Sequence, residues 1–359
     1  MSDAKSGRDS SREFLSFIES AAGSGHVRVE EHLGDGFVRL RTDEAERRQA
    51  KHDIRRVEDI VIELLRNARD AGATAIFLAS TRDGSDRLLT IIDNGSGMPA
   101  SMHDLVFEPR VTTKLDTMSM DRWGVHGRGM ALFSIRENAS EARVVMSAPG
   151  EGTSIRVRVD TELVPERADQ STVPRVERDS EGFLVVTKGP HNINRTVAEF
   201  AADTGRGVKV FLGSPSEIAA TLRRFGEDES GTLPLAPRTG VCSLLTECDS
   251  AVEVVHACHR LGLPVSERNA HRIISGAVKP LRPYIDAITS ELPEPPTAAD
   301  IFRDSRGLRI SPDDMELFSR KLEGAFEEIS SRYYVNLLEE PRISVGKDAI
   351  RVTFPIEKE

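Results

Sequence analysis

Cysteine is scarce: three occur in 359 residues, Cys242, Cys248 and Cys258. An odd number at irregular spacing excludes a disulfide framework. His256 and His259 flank Cys258, but the stretch contains no C-x2-C or H-x3-H pair of a zinc site. It reads as two helix-face histidines beside a packed thiol. No run of 18 or more apolar residues is present, which excludes a membrane-spanning helix. The opening MSDAKSGRDSSREF holds no apolar core of a secretory signal, so a cytoplasmic location is expected. Positive charge is also in deficit: 48 Lys and Arg face 58 Asp and Glu, for a net charge of −10. That excludes a surface that is wholly a nucleic-acid platform and leaves room only for a local basic patch. No internal repeat is found. What remains is 38% hydrophobic and 30% charged, the composition of an ordinary globular protein, long enough for two or three domains.

Residues 1–11 are polar and predict a disordered tail. A short amphipathic helix is expected over 12–22 and a hairpin over 26–41. Residues 45–71 predict one long helix, with Val57, Ile60, Val61, Leu64 and Leu65 as its apolar stripe and Gly72 ending it. Two strands, 75–80 and 88–93, precede a long aperiodic loop over 99–125. A helix over 129–138 and strands over 142–147 and 153–159 complete a unit expected to span 12–160. Residues 161–181 read as a linker, and 182–226 as a small α/β segment. Residues 240–340 read as a helical domain interrupted at Gly262-Leu263-Pro264, with Ser311 as an N-cap before Pro312. A closing strand or hairpin is expected over 341–359.

Four motifs carry chemistry. Glu63 and Asn67 are four apart and share one helix face. The amide oxygen suits a hard cation such as Mg2+, and the carboxylate can orient or deprotonate a water that attacks phosphate. A solvated Glu/Asn face is the plain alternative. Asp93-Asn94-Gly95-Ser96-Gly97-Met98 follows an apolar strand. Its glycines permit close approach to a flat ligand, and Asp93 can accept a hydrogen bond from an exocyclic amine; an ordinary turn is the alternative. Gly124-Val125-His126-Gly127-Arg128-Gly129 feeds a helix whose N-terminus can hold phosphate. Arg128, with Lys114 beside Thr113 upstream, supplies charge for a triphosphate. Gly152-Thr153 opens the last strand, where the hydroxyl can meet a base directly or through water.

The order and spacing of these motifs resemble the GHKL, or Bergerat-fold, ATPase superfamily of histidine kinases, Hsp90, gyrase-type topoisomerase subunits and MutL. The likeness covers about residues 55–160. It implies an α+β chain that opens with an α/β sandwich, a mixed sheet with helices on one face, that binds ATP and Mg2+. Glu63 matches the general base and Asn67 the Mg2+ ligand, with Asp70 a frequent carboxylate of the same helix. Asp93 matches the adenine-amine acceptor, with Gly95, Gly97 and Met98 beside the base. Gly127 and Gly129 match the phosphate-binding lid, Thr113, Lys114, Gly124 and Arg128 are further nucleotide-binding residues, and Thr153 matches the adenine-side hydroxyl. Within the superfamily Glu63-Leu64 to Asn67, Asp70-Ala71-Gly72-Ala73-Thr74 is similar to MutL's E-L-x-x-N-x-x-D-A-G-A-T. Thr112-Thr113-Lys114-Leu115 is similar to its A-T-S-K-I, and Arg128-Gly129-Met130-Ala131-Leu132-Phe133-Ser134-Ile135 to its R-G-E-A-L-A-S-I. MutL's later F-Y-N-x-P-A-R run has no counterpart in residues 159–165. Residues 252–274 are similar to the helical insert of type IIB topoisomerase B subunits.

The resemblance implies a slow Mg-dependent ATPase, an ATP-dependent homodimer, and an output in the C-terminal half, with DNA or a protein client reached through 240–340. A histidine kinase would need its phosphoacceptor on a separate hairpin, and His52 lies only 11 residues before Glu63. An anti-sigma-type kinase would be shorter. A nucleotide-sensing scaffold without turnover is the further alternative. Residues 251–274 also admit a helix-turn-helix with Arg268, His271 and Arg272 toward phosphate, against a plain helical interaction domain.

Overall fold

The computed structural model describes residues 29–34, 36–40, 44–112, 119–121, 124–126, 129–179, 182–228, 240–290, 311–330, 335–345 and 350–358. The chain divides at 292/293 into two units. The first begins with strands β1 (Val29–Gly34) and β2 (Phe37–Leu40) and helices α1 (Glu44–Asp53) and α2 (Val57–Asp70). Next come β3 (Ala75–Asp83), β4 (Asp86–Asp93), β5 (Val111–Thr112), β6 (Ser119–Asp121), β7 (Gly124–His126) and α3 (Ala131–Asn138). Strands β8 (Glu141–Ser147), β9 (Thr153–Asp160), β10 (Arg175–Arg178) and β11 (Leu184–Lys188) lead into α4 (Ile193–Thr204). The unit closes with β12 (Lys209–Gly213), α5 (Pro215–Asp228), α6 (Ala251–Arg260), α7 (Glu267–Ile274) and α8 (Tyr284–Ile288). The expected tail at 1–11 and helix at 12–22 fall outside the described residues.

A five-stranded mixed sheet runs β12-β3-β4-β9-β8. Only β12 and β3 are parallel, with Lys209 opposite Ala75 and Gly213 opposite Ala79. Alternation sends Ile76, Leu78, Leu89, Ile91, Ile155 and Val157 to one face. There they meet the stripe of α2, whose Val57, Ile60, Val61, Leu64 and Leu65 are all buried, together with α3 and α4. Each such side chain contributes about 2 kcal/mol of burial. Ala75, Phe77, Ala79, Ile92 and Phe211 point the other way, into a second core built with α5, α6 and α7. Phe77 stacks on Phe211 at 4.9 Å and meets Phe225 edge-on at 5.2 Å.

Three features differ from the sequence expectations. The single helix over 45–71 is two helices, because Asp59 turns back to accept the N–H groups of Arg55 (2.8 Å) and Arg56 (2.9 Å), capping α2 at Arg56. The stretch read as a linker is fixed by polar contacts. Glu166 takes Arg87 through both oxygens (2.7 and 2.9 Å) and Arg82 at 2.8 Å, while Glu58 accepts from Arg167 N and Gln170. The α/β segment 182–226 and residues 240–288 do not stand apart: β12 extends the central sheet, and α5–α7 cover its second face. Within residues 44–160 the helices do lie on one face.

In the second unit, α9 (Pro312–Ser330) carries Phe326, stacked on Phe354 at 4.8 Å. Strand β13 (Val335–Leu337) pairs with β16 (Ile356–Lys358), and β14 (Arg342–Val345) with β15 (Ile350–Thr353). The helical region expected over 240–340 is therefore shared between the two units.

Candidate functional site: a nucleotide-sized cavity beside the sheet

A cavity of about 1100 Å³ opens between α2, the loop after β4, the start of α3 and the first residue of β9. Phe37 from β2 and Gln49 and Asp53 from α1 complete its wall. The size suits a nucleotide.

One turn of α2 apart, Glu63, Asn67 and Asp70 line one side together. Glu63 Oε1 accepts from Arg66 at 2.6 Å. Arg66 is 4% exposed and lines the same cavity, a residue that the motif reading passed over. Its signal was present, since residues three apart on a helix are neighbours. Asp70 lies 3.5 Å from Arg69, and the Arg69 guanidinium sits over Phe200 of α4. The side-chain nitrogen of Asn67 is buried without a hydrogen-bond partner among the described residues. Those residues hold no cluster of three or more His, Cys, Asp or Glu able to take a metal. A single amide oxygen on the cavity wall fits Mg2+, which takes most of its ligands from phosphate and water.

At the other end, the strand termini set three polar residues in a row: Asp93 of β4 faces Thr153 of β9, which faces Ser147 of β8. Asp93 is 5% exposed and accepts from Gly95 N at 2.8 Å. Burial pushes its carboxyl up to about 7, against the opposing pull of the Gly95 bond. Thr153 lines the cavity. Ser147, which the sequence reading also passed over, lies behind it. Ser147 Oγ accepts from Met98 N (2.9 Å), donates to Gly152 O (2.9 Å) and is 3.0 Å from Thr153 Oγ1.

Gly97 and Met98 line the cavity, whereas Gly95 packs against the end of α2. A Cβ on Gly95 would lie 2.8 Å from Ala71 O, and one on Gly97, at φ +63°, only 1.9 Å from Ala148 O. These positions tolerate no side chain because three loops converge there. Asn94 ties two of them by accepting from Thr74 N (2.9 Å) and Ala75 N (2.8 Å).

Gly129 lines the cavity just before α3, and its carbonyl accepts from Arg110 N at 2.8 Å. Arg110 is the one non-glycine residue with positive φ among those described, at 56°. The expected lid is anchored here. Its first strand, β5, pairs with β2, and Leu40 N reaches Arg110 O at 3.1 Å. Arg39 also pairs with Glu31 and Glu108. Gly124 pairs with Asp121 in the β6–β7 hairpin. Thr113, Lys114, Gly127 and Arg128 lie outside the described residues.

The family of histidine kinase-, DNA gyrase B- and HSP90-like ATPases matches residues 52–163. Residues 52–163 are a GHKL ATPase domain. The DNA mismatch repair protein MutL of Heliobacterium modesticaldum is 38% identical over 128 residues, 34% of this chain and 18% of its own length. That of Gemmatimonas aurantiaca is 37% identical over 112 residues, covering 30% and 18%. That of Anaeromyxobacter dehalogenans is 28% identical over 228 residues, 63% of this chain and 36% of its own. The chain thus spans between 18% and 36% of the length of these relatives.

Behind the GHKL domain, the turn between α6 and α7 is fastened to the sheet. Thr90 Oγ1 donates to Gly262 O (2.9 Å) and Ser154 Oγ to Leu261 O (2.7 Å), both in buried positions. On α7, Arg268, His271 and Arg272 face solvent, while Ala270 and Ile273 face the core. Cys258 is fully buried, and burial pushes its thiol up to about 12, which leaves it unreactive. His52 is exposed near the end of α1, inside the GHKL domain. No helix among the described residues is long and apolar enough to cross a membrane.

Proposed function

We propose that the cavity binds ATP with Mg2+ and hydrolyses it slowly. One observation carries this reading: a single cavity is lined by Glu63 and Asn67 at one end and at the other by Thr153, the cross-strand partner of Asp93. Asp93 and Thr153 receive the adenine amine, with Gly97 and Met98 beside the ring. Asn67 would hold Mg2+, which when bound would supply charge neutralisation at the phosphate. The N–H groups that open α3 are not used within the helix until Ser134 N bonds Met130 O, so those of Ala131 and Leu132 are left for phosphate. Gly129, with Thr113, Lys114, Gly124, Gly127 and Arg128, belongs to the lid over that phosphate. Glu63 takes the proton of the attacking water, Arg66 holds its carboxylate in place, and Asp70 supports the same helix face.

The cycle serves as a switch. ATP closes the lid, two copies of the chain pair while it is closed, and hydrolysis releases them. Because β5 is zipped to the N-terminal hairpin, lid and hairpin move together. The C-terminal half carries the output, a MutL-like DNA transaction or a protein client reached through residues 240–340. The relatives are named as DNA mismatch repair proteins, and the exposed Arg268, His271 and Arg272 offer a cationic face.

A Glu63→Ala variant is expected to bind ATP with near-native affinity and to lose at least about a hundredfold in turnover. Equilibrium binding and phosphate release, with and without DNA, measure both. Native turnover in that variant would remove Glu63 from the mechanism.

A further inference from the structure

Ser147 and Thr153 stand opposite each other on β8 and β9, and their hydroxyl oxygens are 3.0 Å apart. Counting protons settles which of them donates. A hydroxyl has one hydrogen and two acceptor lone pairs. Ser147 Oγ lies 2.9 Å from Gly152 O, a carbonyl that can only accept, so the single Ser147 proton goes there. Met98 N–H occupies one lone pair of Ser147 at 2.9 Å. The second lone pair faces Thr153, and that bond therefore has Thr153 as its donor. Thr153, a residue of the cavity wall, has then used its only hydroxyl proton inward, and its Oγ1 has only lone pairs left to offer a ligand.

Asp93, its neighbour across the ladder, presents a carboxylate that already accepts from Gly95 N. Thr153 thus brings an acceptor to this end of the cavity wall, with the Asp93 carboxylate next to it on the neighbouring strand. This end welcomes a base edge that donates and repels one that accepts. We propose that Ser147 is the residue that makes the site select an adenine nucleotide over a guanine nucleotide. It works by holding the Thr153 hydroxyl as an acceptor. Ser147 does not line the cavity and is a positioning residue. This inference rests on the ATP-binding reading and adds to it the origin of base choice. The 6-amino group of adenine donates to both partners, whereas the 6-oxo group of guanine meets two acceptors and leaves them unpaired. Without Ser147 the Thr153 hydrogen is free to rotate into the cavity and donate to that oxygen.

The test measures equilibrium binding of MgATP and of MgGTP to the full chain, for the native protein and for Ser147→Ala, Ser147→Cys and Ser147→Thr, with thermal melting as the check of fold. Native protein should prefer ATP. Ser147→Ala should narrow the ATP-to-GTP ratio about tenfold or more, mainly by gaining GTP affinity, which a merely loosened strand would not produce. Ser147→Cys keeps the shape but accepts poorly; it should narrow the ratio in the same direction and serves if the alanine variant does not fold. Ser147→Thr keeps the hydroxyl and should restore the native ratio. A native ratio in both the alanine and cysteine variants overturns the role of Ser147 while leaving ATP binding intact. A native protein that binds neither nucleotide overturns both readings.

Discussion

Asp93 shows how a site is made at the cost of local stability. Its carboxyl is buried at a strand end with one backbone donor, and desolvation lifts it from 3.8 to about 7. A folded-state value above the unfolded one means that the folded protein holds the proton more tightly between about pH 4 and pH 7. Ligand-free stability therefore falls as pH rises through that window, by at most about 4 kcal/mol in total. Asp93→Asn keeps an acceptor for Gly95 N without a charge. At pH 8 it should melt above the native protein while binding ATP at least about tenfold more weakly, since the charged acceptor is gone. Native affinity for ATP should itself weaken below pH 7, as protonation removes the carboxylate that accepts the adenine amine. Calorimetric titration and melting at pH 6 and pH 8 check all three; an affinity independent of pH would take Asp93 away from the base. The placement of Glu63 and Asn67 on one helix face and of Asp93 at a strand end was legible in the sequence, because each motif is a local spacing on one element. Ser147 was not, because its contact with Thr153 is set by strand register, and nothing in the spacing of β8 announces which residue will lie opposite.

At the scale of elements, the apolar stripe of α2 was legible because five residues at helical spacing read the same way in isolation and in the fold. The break before it was not. Arg55 and Arg56 are compatible with a helix, and what stops one is a carboxylate one turn ahead that captures both of their N–H groups. Val57 N adds a bond to Pro165 O, from far along the chain. Asp59→Ala should therefore cost about 1 kcal/mol, with Asp59→Asn losing less, as read by urea unfolding. If both variants unfold at the native midpoint, the cap is not what divides α1 from α2. The same logic explains why 161–181 reads as a linker. Its anchors are Glu166 on Arg87, Gln170 on Glu58, and Asn192 on the carbonyls of Asp169 and Thr172. Polar anchors leave no hydrophobic period to detect.

At the scale of the molecule, the central sheet has two cores and only one of them belongs to the GHKL motifs. Residues 75–79 of β3 alternate Ala, Phe and Ala toward the second core with Ile and Leu toward the first, so this strand is apolar on both faces. A strand of that kind needs cover on each side. The cover on the second face comes from α5–α7, and the parallel partner of β3 is β12, more than a hundred residues further on. A fragment of residues 29–163 would expose Phe77, Ala79 and Ile92 and leave β3 as an unpaired apolar edge, a template for aggregation. Thr90 and Ser154 would lose the carbonyls of residues 261 and 262 as well. That fragment is expected to be insoluble or to lack a cooperative melt, whereas residues 29–290 should unfold in one transition shared by α2 and α6. Hydrogen exchange distinguishes the cases: protection of Ile91 and of Val254 should be lost together in the longer fragment. If 29–163 folds alone and binds ATP, the segment on the second face is an attachment to a self-sufficient domain. If it does not, the surface that would carry the output is part of the same cooperative body as the nucleotide site.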